Sequence, residues 1–132
     1  MSASHNDDAV AFGRSLHADF YMVTAAVCED IVFCYDLLDD IVQRLRVTKQ
    51  APPFVFRSPA AQFPDKAGIS GWVPLIESGV SIHTLTVKRF VSIDIYTCGQ
   101  LNVADTLDYL CAKLGTAQCE HHFLIRGKDY YK

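Results

Sequence analysis

Three runs of alternating side chains follow one another closely between residues 71 and 97, and they constrain the fold more than any other feature of the chain. In Phe90 to Thr97, Val91, Ile93 and Ile95 face one way while Ser92, Asp94 and Tyr96 face the other, the period-2 pattern of a strand with one buried face. Gly71 to Glu77 and Val80 to Thr86 precede it as two further strand-like runs. Upstream, Ser15 to Tyr21 sets Leu16, Ala18 and Phe20 against His17, Asp19 and Tyr21, a fourth half-buried strand.

Helical spacing is confined to two places. Thr24 caps a predicted helix running to about Arg46, because Val27, Ile31, Cys34, Leu38, Ile41 and Leu45 recur at three- and four-residue steps. Its acidic flank is Glu29, Asp30, Asp36, Asp39 and Asp40, and its basic end, Arg44 and Arg46, suits the helix dipole. Asn102 or Asp105 begins a second helix with Val103, Leu107, Leu110 and Leu114 on its apolar face, ended by Gly115. Residues 1 to 12 are polar and expected to fray. Lys49 to Pro53 breaks the chain before a short strand, Phe54 to Phe56. Ser58 to Lys66, with Pro59 and Pro64, reads as a loop able to carry binding residues. Gln118 to Ile125 is the last strand. The order β-α-β-β-β-β-α-β lacks regular strand–helix alternation, which predicts an α+β fold: a two-layer α/β sandwich, mostly antiparallel, with helices packed on one face. No linker divides residues 1–132, so a single domain is expected.

Partners are narrowed by charge. Net charge is −3 and the basic residues are scattered, so no stripe tracks a polyanion and no nucleic-acid partner is expected. Apolar runs are too short to span a bilayer, and the acidic start MSASHNDD is no signal peptide. Cytoplasmic residence is the expectation. The five cysteines, an odd number without a CxxC pair, read as reduced thiols.

Chemistry concentrates in Gly68 to His83, where Gly68, Ser70 and Gly71 precede Glu77-Ser78-Gly79 and His83, and in Cys98-Gly99 downstream. Gly13-Arg14-Ser15-Leu16-His17-Ala18-Asp19-Phe20-Tyr21 and Asp94-Ile95-Tyr96-Thr97-Cys98-Gly99 extend the pattern. Together these segments resemble the prokaryotic S-adenosylmethionine decarboxylase proenzymes, a pyruvoyl-dependent family, over about residues 13 to 125. The resemblance implies self-cleavage between Glu77 and Ser78 into residues 1–77 and 78–132. It implies that Ser78 becomes a covalent pyruvoyl cofactor, that His83 is the processing base, that Ser70 aids processing, and that Cys98 is the proton donor in turnover. A homodimer of cleaved protomers acting on a small-molecule substrate in polyamine biosynthesis is implied as well.

Residue chemistry agrees with those assignments. A serine hydroxyl beside a strained peptide attacks the preceding carbonyl, turning the Glu77–Ser78 amide into an ester, and Gly79 would permit an unusual backbone angle there. A base then removes the Ser78 α-proton, the ester is expelled, and the resulting dehydroalanine hydrolyses to a pyruvoyl group. His83 is a neutral base near pH 7, and a tight Ser78-Gly79 turn is expected to bring its face back toward residue 78. Ser70 is the expected hydrogen-bond donor to the Glu77 carbonyl. A pyruvoyl carbonyl forms a Schiff base with a substrate amine and accepts the electron pair as carbon dioxide leaves. Cys98 then protonates the carbanion.

Substrate is less determined. The family continues His-Thr-Trp-Pro-Glu, whose glutamate holds the ribose of S-adenosylmethionine, whereas this chain reads His83-Thr84-Leu85-Thr86-Val87, with Gly79 in place of the family's histidine. Val87 cannot accept the ribose hydroxyls, so L-arginine or L-ornithine stands beside S-adenosylmethionine, with Lys88, Arg89, Phe56 or Phe63 as compensating groups for the latter. Phe56, Phe63, Asp19 and Asp94 are the candidate substrate-binding residues. Three other readings remain: a metal site in Cys119-Glu120-His121-His122, for which adjacent strand residues point oppositely and no metal is expected; a Cys98–His83 hydrolase; and a regulatory relative unable to process.

Overall fold

The computed structural model describes residues 10–132. Its strands are β1 (Gly13–Phe20), β2 (Phe54–Arg57), β3 (Ile69–Leu75), β4 (Ser78–Leu85), β5 (Phe90–Thr97) and β6 (Cys119–Arg126). Its helices are α1 (Ala25–Cys28), α2 (Ile31–Leu45) and α3 (Val103–Leu114), with a single 3₁₀ turn at Pro64–Lys66. The strands form one sheet in the order β2-β3-β4-β5-β1-β6, and every neighbouring pair is antiparallel. This is the expected two-layer sandwich.

Sequence alternation sorts the two faces of the sheet. Leu16, Ala18 and Phe20 of β1, Val80 and Ile82 of β4, and Val91, Ile93 and Ile95 of β5 are buried against Cys34, Leu37, Leu38 and Ile41 of α2 and Leu110 and Leu114 of α3. Each fully buried leucine or isoleucine side chain contributes about 1.5–3 kcal/mol. The opposite face carries half-buried polar and aromatic residues and, among the described residues, no helix. His17, Asp94 and Ser81 share one rung there, and Asp19, Ser92 and His83 share another.

The first predicted helix is two. α1 ends at Cys28, and Asp30 starts α2 afresh, its carboxylate accepting from the Phe33 amide at 3.0 Å. Periodicity runs through this break because Val27 and Ile31 both lean on the core, but a side chain that caps cannot also continue a helix. α3 begins at Asn102, which caps Asp105 N–H at 2.9 Å, and ends at Gly115 with φ +70°, as its composition predicts. The hairpin before β4 lies elsewhere than expected: β3 stops at Leu75, Ile76 and Glu77 make the turn, and Ser78 already begins β4. Of the expected frayed segment, residues 1–9 lie outside the described residues, whereas Ala11 is buried and Phe12 N–H donates to the Gly127 carbonyl. Among the described residues no helix is long and apolar enough to cross a membrane.

Thr84 is the polar pin of the buried layer. Its hydroxyl accepts from Ile69 N–H at 2.8 Å and donates to the Cys28 carbonyl at 2.6 Å, tying β4 to β3 and to the end of α1. Thr84→Val keeps the shape and orphans both backbone groups, each costing about 1–3 kcal/mol. Urea unfolding of that variant should show a loss of at least about 2 kcal/mol, and an unchanged midpoint would refute the pin.

Candidate functional site

Ser78 is the conformational outlier among the described residues. Its φ is +136°, a value that costs an L-residue on the order of 1–3 kcal/mol and persists only where surrounding contacts enforce it. Met22, Arg46 and Arg89 also have positive φ, at 62°, 56° and 54°, but these are ordinary left-handed turns. The strain thus sits at Ser78 itself and not at Gly79, which carries no positive φ. Gly79 serves a different need, since a Cβ there would lie 2.8 Å from Trp72 Nε1. Its bare backbone makes room for the indole.

Three backbone and side-chain contacts hold the residues before Ser78. Ile76 N–H donates to the Thr48 carbonyl at 2.8 Å, and Thr48 N–H donates to Glu77 Oε1 at 2.9 Å. The Glu77 carbonyl accepts from Cys98 N–H at 3.0 Å. That last bond is the one with chemical content, because a backbone N–H on the carbonyl of the Glu77–Ser78 peptide polarises it toward attack and would stabilise an oxyanion there. Ser70, the donor expected from sequence, is elsewhere: its hydroxyl meets His83 Nδ1 at 3.0 Å.

Ser70 and His83 form a rung of the β3–β4 ladder, while Leu75 and Ser78 form another five residues along. At about 3.3 Å per residue these rungs are roughly 16 Å apart. The turn that would fold His83 back onto Ser78 does not exist, because Ser78 and His83 lie on one continuous strand. The two halves of the expected processing site therefore occupy opposite ends of β4 within a protomer. Cys98, by contrast, is beside Glu77 and exposed. It opens into a depression of about 640 Å³ lined by Arg14, Gln100, Asn102, Phe12 and Tyr131 among others.

A second depression, of about 520 Å³, lies on the helix-free face and contains Ser78, Trp72, Ser81, Asp94, Tyr96 and His17. His17 was not singled out by sequence. Its Nδ1 is 3.1 Å from Asp94 Oδ1 and its Nε2 is 2.9 Å from Ser15 Oγ. Since an ionised carboxylate can only accept, Nδ1 carries the proton, and in the neutral ring Nε2 accepts from the Ser15 hydroxyl. The signal was available in the strand pattern, where His17 and Asp94 both occupy the polar parity. The remaining substrate candidates are dispersed. Asp19 is on the His83 rung of the open face. Phe56, 65% exposed, lines an apolar depression with Phe54 and Trp72, and exposed Phe63 precedes the 3₁₀ turn. Exposed Val87 lies in the β4–β5 turn at the His83 end. Arg89 is engaged structurally, donating to the Val23 and Met22 carbonyls at 3.0 and 3.2 Å, which removes it as a compensating substrate ligand. Of the Cys119-Glu120-His121-His122 run, Cys119 meets Cys111 and Glu120 accepts from the Tyr21 hydroxyl.

Comparison with known proteins bears on the sequence and fold as a whole. The sequence model of the S-adenosylmethionine decarboxylase family matches residues 14–127. The chain is 34% identical over 119 residues to the S-adenosylmethionine decarboxylase proenzyme of Thermoplasma acidophilum, covering 89% of this chain and 86% of that protein. The corresponding proenzyme of Acidithiobacillus ferrooxidans is 29% identical, with 89% and 84% covered. The crystal structure of the adenosylmethionine decarboxylase from Aquifex aeolicus superposes with a TM-score of 0.73 at 27% identity, covering 89% of this chain and 92% of that one.

Strain at residue 78 makes its own prediction. At an ordinary strand position glycine is less stable than alanine by about 0.5–1 kcal/mol, but relief of the positive φ should reverse that order here. Urea unfolding should find Ser78→Gly at least as stable as Ser78→Ala; a glycine variant weaker by the usual margin would mean that Ser78 is unstrained.

Proposed function

Since this chain belongs to the S-adenosylmethionine decarboxylase family, which is a pyruvoyl-dependent carboxy-lyase family, we propose that it is a proenzyme that cuts itself between Glu77 and Ser78 and then decarboxylates a small amino-acid-type substrate. The observation that carries this reading is Ser78 at φ +136°, with the carbonyl before it bound by Cys98 N–H. Attack of the Ser78 hydroxyl on that carbonyl breaks the strained amide and forms an ester. Removal of the Ser78 α-proton expels Oγ with the Glu77 carboxylate, and hydrolysis of the resulting dehydroalanine releases ammonia.

The residues present fit the resulting pyruvoyl group: Ser78 lines a depression, and the Cys98 backbone is bonded to the carbonyl just before it. Such a group supplies an electrophilic carbonyl that takes up the electron pair left by departing carbon dioxide. Cys98 provides the proton that ends turnover. Asp94, bound to His17, and Arg126, whose guanidinium lies 4.5 Å from the Tyr96 ring centre, set the polarity of the adjoining surface.

His83 reaches Ser78 only from a partner. A two-fold axis crossing β4 near Ser81, with the helix-free faces of two protomers opposed, would lay the Ser70–His83 pair of each over Ser78 of the other. Such an interface is isologous. It would also cover Trp72, Phe54 and Phe56, which are 49%, 46% and 65% exposed. Co-expression tests it without ambiguity. Ser78→Ala and His83→Ala chains, each uncut alone, should yield cut His83→Ala chains when mixed in one dimer. Absence of any fragment from folded mixed dimers would place His83 in its own protomer or outside processing.

S-adenosylmethionine is the substrate in the relatives' names, and is the first reading. A second, L-arginine or L-ornithine, is favoured by Val87, which would arrive with His83 at the partner's Ser78 and offers no carboxylate. Asp19, two strands from His83 on the same rung and about 10 Å away, is the acid that would meet a distal cationic group. Val87→Glu should raise kcat/KM for S-adenosylmethionine by about 5- to 150-fold, matching 1–3 kcal/mol for paired hydroxyls, and Asp19→Asn should depress turnover of the basic amino acids. Unchanged S-adenosylmethionine kinetics in Val87→Glu would remove residue 87 from substrate selection.

A further inference from the structure

Cys111 and Cys119 take no part in the chemistry above, yet their sulfurs are in contact. Cys111 lies in the last turn of α3 and Cys119 opens β6. Their Sγ atoms are 3.6 Å apart. The short connection between them is fixed by the backbone: the Gly115 and Thr116 N–H groups both donate to the Cys111 carbonyl, at 2.9 and 3.1 Å. Gln118 N–H donates to Thr116 Oγ1 at 3.1 Å, and the Thr116 hydroxyl donates to the Tyr21 carbonyl at 2.6 Å. The thiols are thus held together by the turn that joins helix to strand. Both are partly accessible, whereas Cys28 and Cys34 are buried.

We propose that Cys111 and Cys119 form an oxidative modification site, closed to an intramolecular disulfide by a peroxide or a small-molecule disulfide, that ties the end of α3 to the edge strand β6. Two S–H bonds are lost and one S–S bond forms. The two protons and two electrons pass to the oxidant, so that hydrogen peroxide becomes two waters, or a disulfide becomes two thiols. To reach a bond length of about 2.05 Å the sulfurs must approach by about 1.5 Å, a movement within reach of χ1 rotation. Burial, then contact with Cys119, pushes the Cys111 thiol up to about 11, so closure should be slow near neutral pH and quicken as pH rises and thiolate becomes available.

The tie acts at an edge of the sheet, because β6 pairs with β1 alone. It is also remote from Ser78. Cys119 shares its rung with Phe20, Val91 and Thr84, six residues along β4 from Ser78 and so at least about 20 Å away. Oxidation should stabilise the fold and leave self-cleavage untouched.

The test is to treat the purified protein with diamide or hydrogen peroxide, alkylate it in denaturant, and map its peptides without reduction. Both cysteines fall within residues 78–132, so the readout is the same whether or not the chain has cut itself. The expected result is one linkage, Cys111 to Cys119, with buried Cys28 and Cys34 still alkylated. Tm should rise by several degrees and return on reduction. Cys111→Ala and Cys119→Ala should each abolish the shift, and Cys98→Ala should retain it. Full alkylation of both residues under conditions that oxidise exposed Cys98, or a linkage to any other cysteine, would overturn the proposal.

Discussion

The structure around the proposed cleavage point depends on how Glu77 is held. Its side chain accepts from Thr48 N–H and its carbonyl from Cys98 N–H, so the turn between β3 and β4 is gripped by two segments distant in sequence. With Glu77 fixed, and with Ser78 already paired to Thr97 in β5, residue 78 must absorb the mismatch. It does so through φ +136°. Energy of order 1–3 kcal/mol placed at one peptide, beside a donor to its carbonyl, is what distinguishes this hairpin from an ordinary two-residue turn.

That grip explains what could and could not be read from the chain alone. The alternation of Val91, Ile93 and Ile95 with Ser92, Asp94 and Tyr96 led directly to β5 and to the sorting of its faces. The motif around Ser78 led to the family. The Cys98 contact is invisible in the sequence, because a backbone amide leaves no trace in side-chain spacing, which points to Ser70 instead. Strand arithmetic does contain the separation, since five residues along a strand put residues 78 and 83 about 16 Å apart. Glu29-Asp30 illustrates the opposite failure, where apolar spacing ran unbroken across a cap that only local hydrogen bonding reveals.

The helix-free face is where the proposed two-fold partner would meet the same hairpin. Its polar rungs, Ser81–Asp94–His17 and His83–Ser92–Asp19, adjoin the aromatic surface of Trp72 and Phe54, which continue the first rung across β3 and β2 and stack at 6.3 Å. A surface of this kind, large and partly apolar, is the kind proteins cover, and a two-fold partner would cover it while supplying His83 and residue 87 to Ser78. Departure from the family at Gly79 is accommodated here as well, since the indole of Trp72 lies where a side chain on residue 79 would project.

The central claim, that this strained peptide is consumed to make the catalytic group, is tested most directly by the intact mass of the freshly purified native chain. The account predicts two polypeptides, residues 1–77 and residues 78–132, the second lighter than its encoded sequence by one ammonia. A folded protein that stays a single full-length chain, or a second piece that retains an unmodified serine at its start, would contradict it.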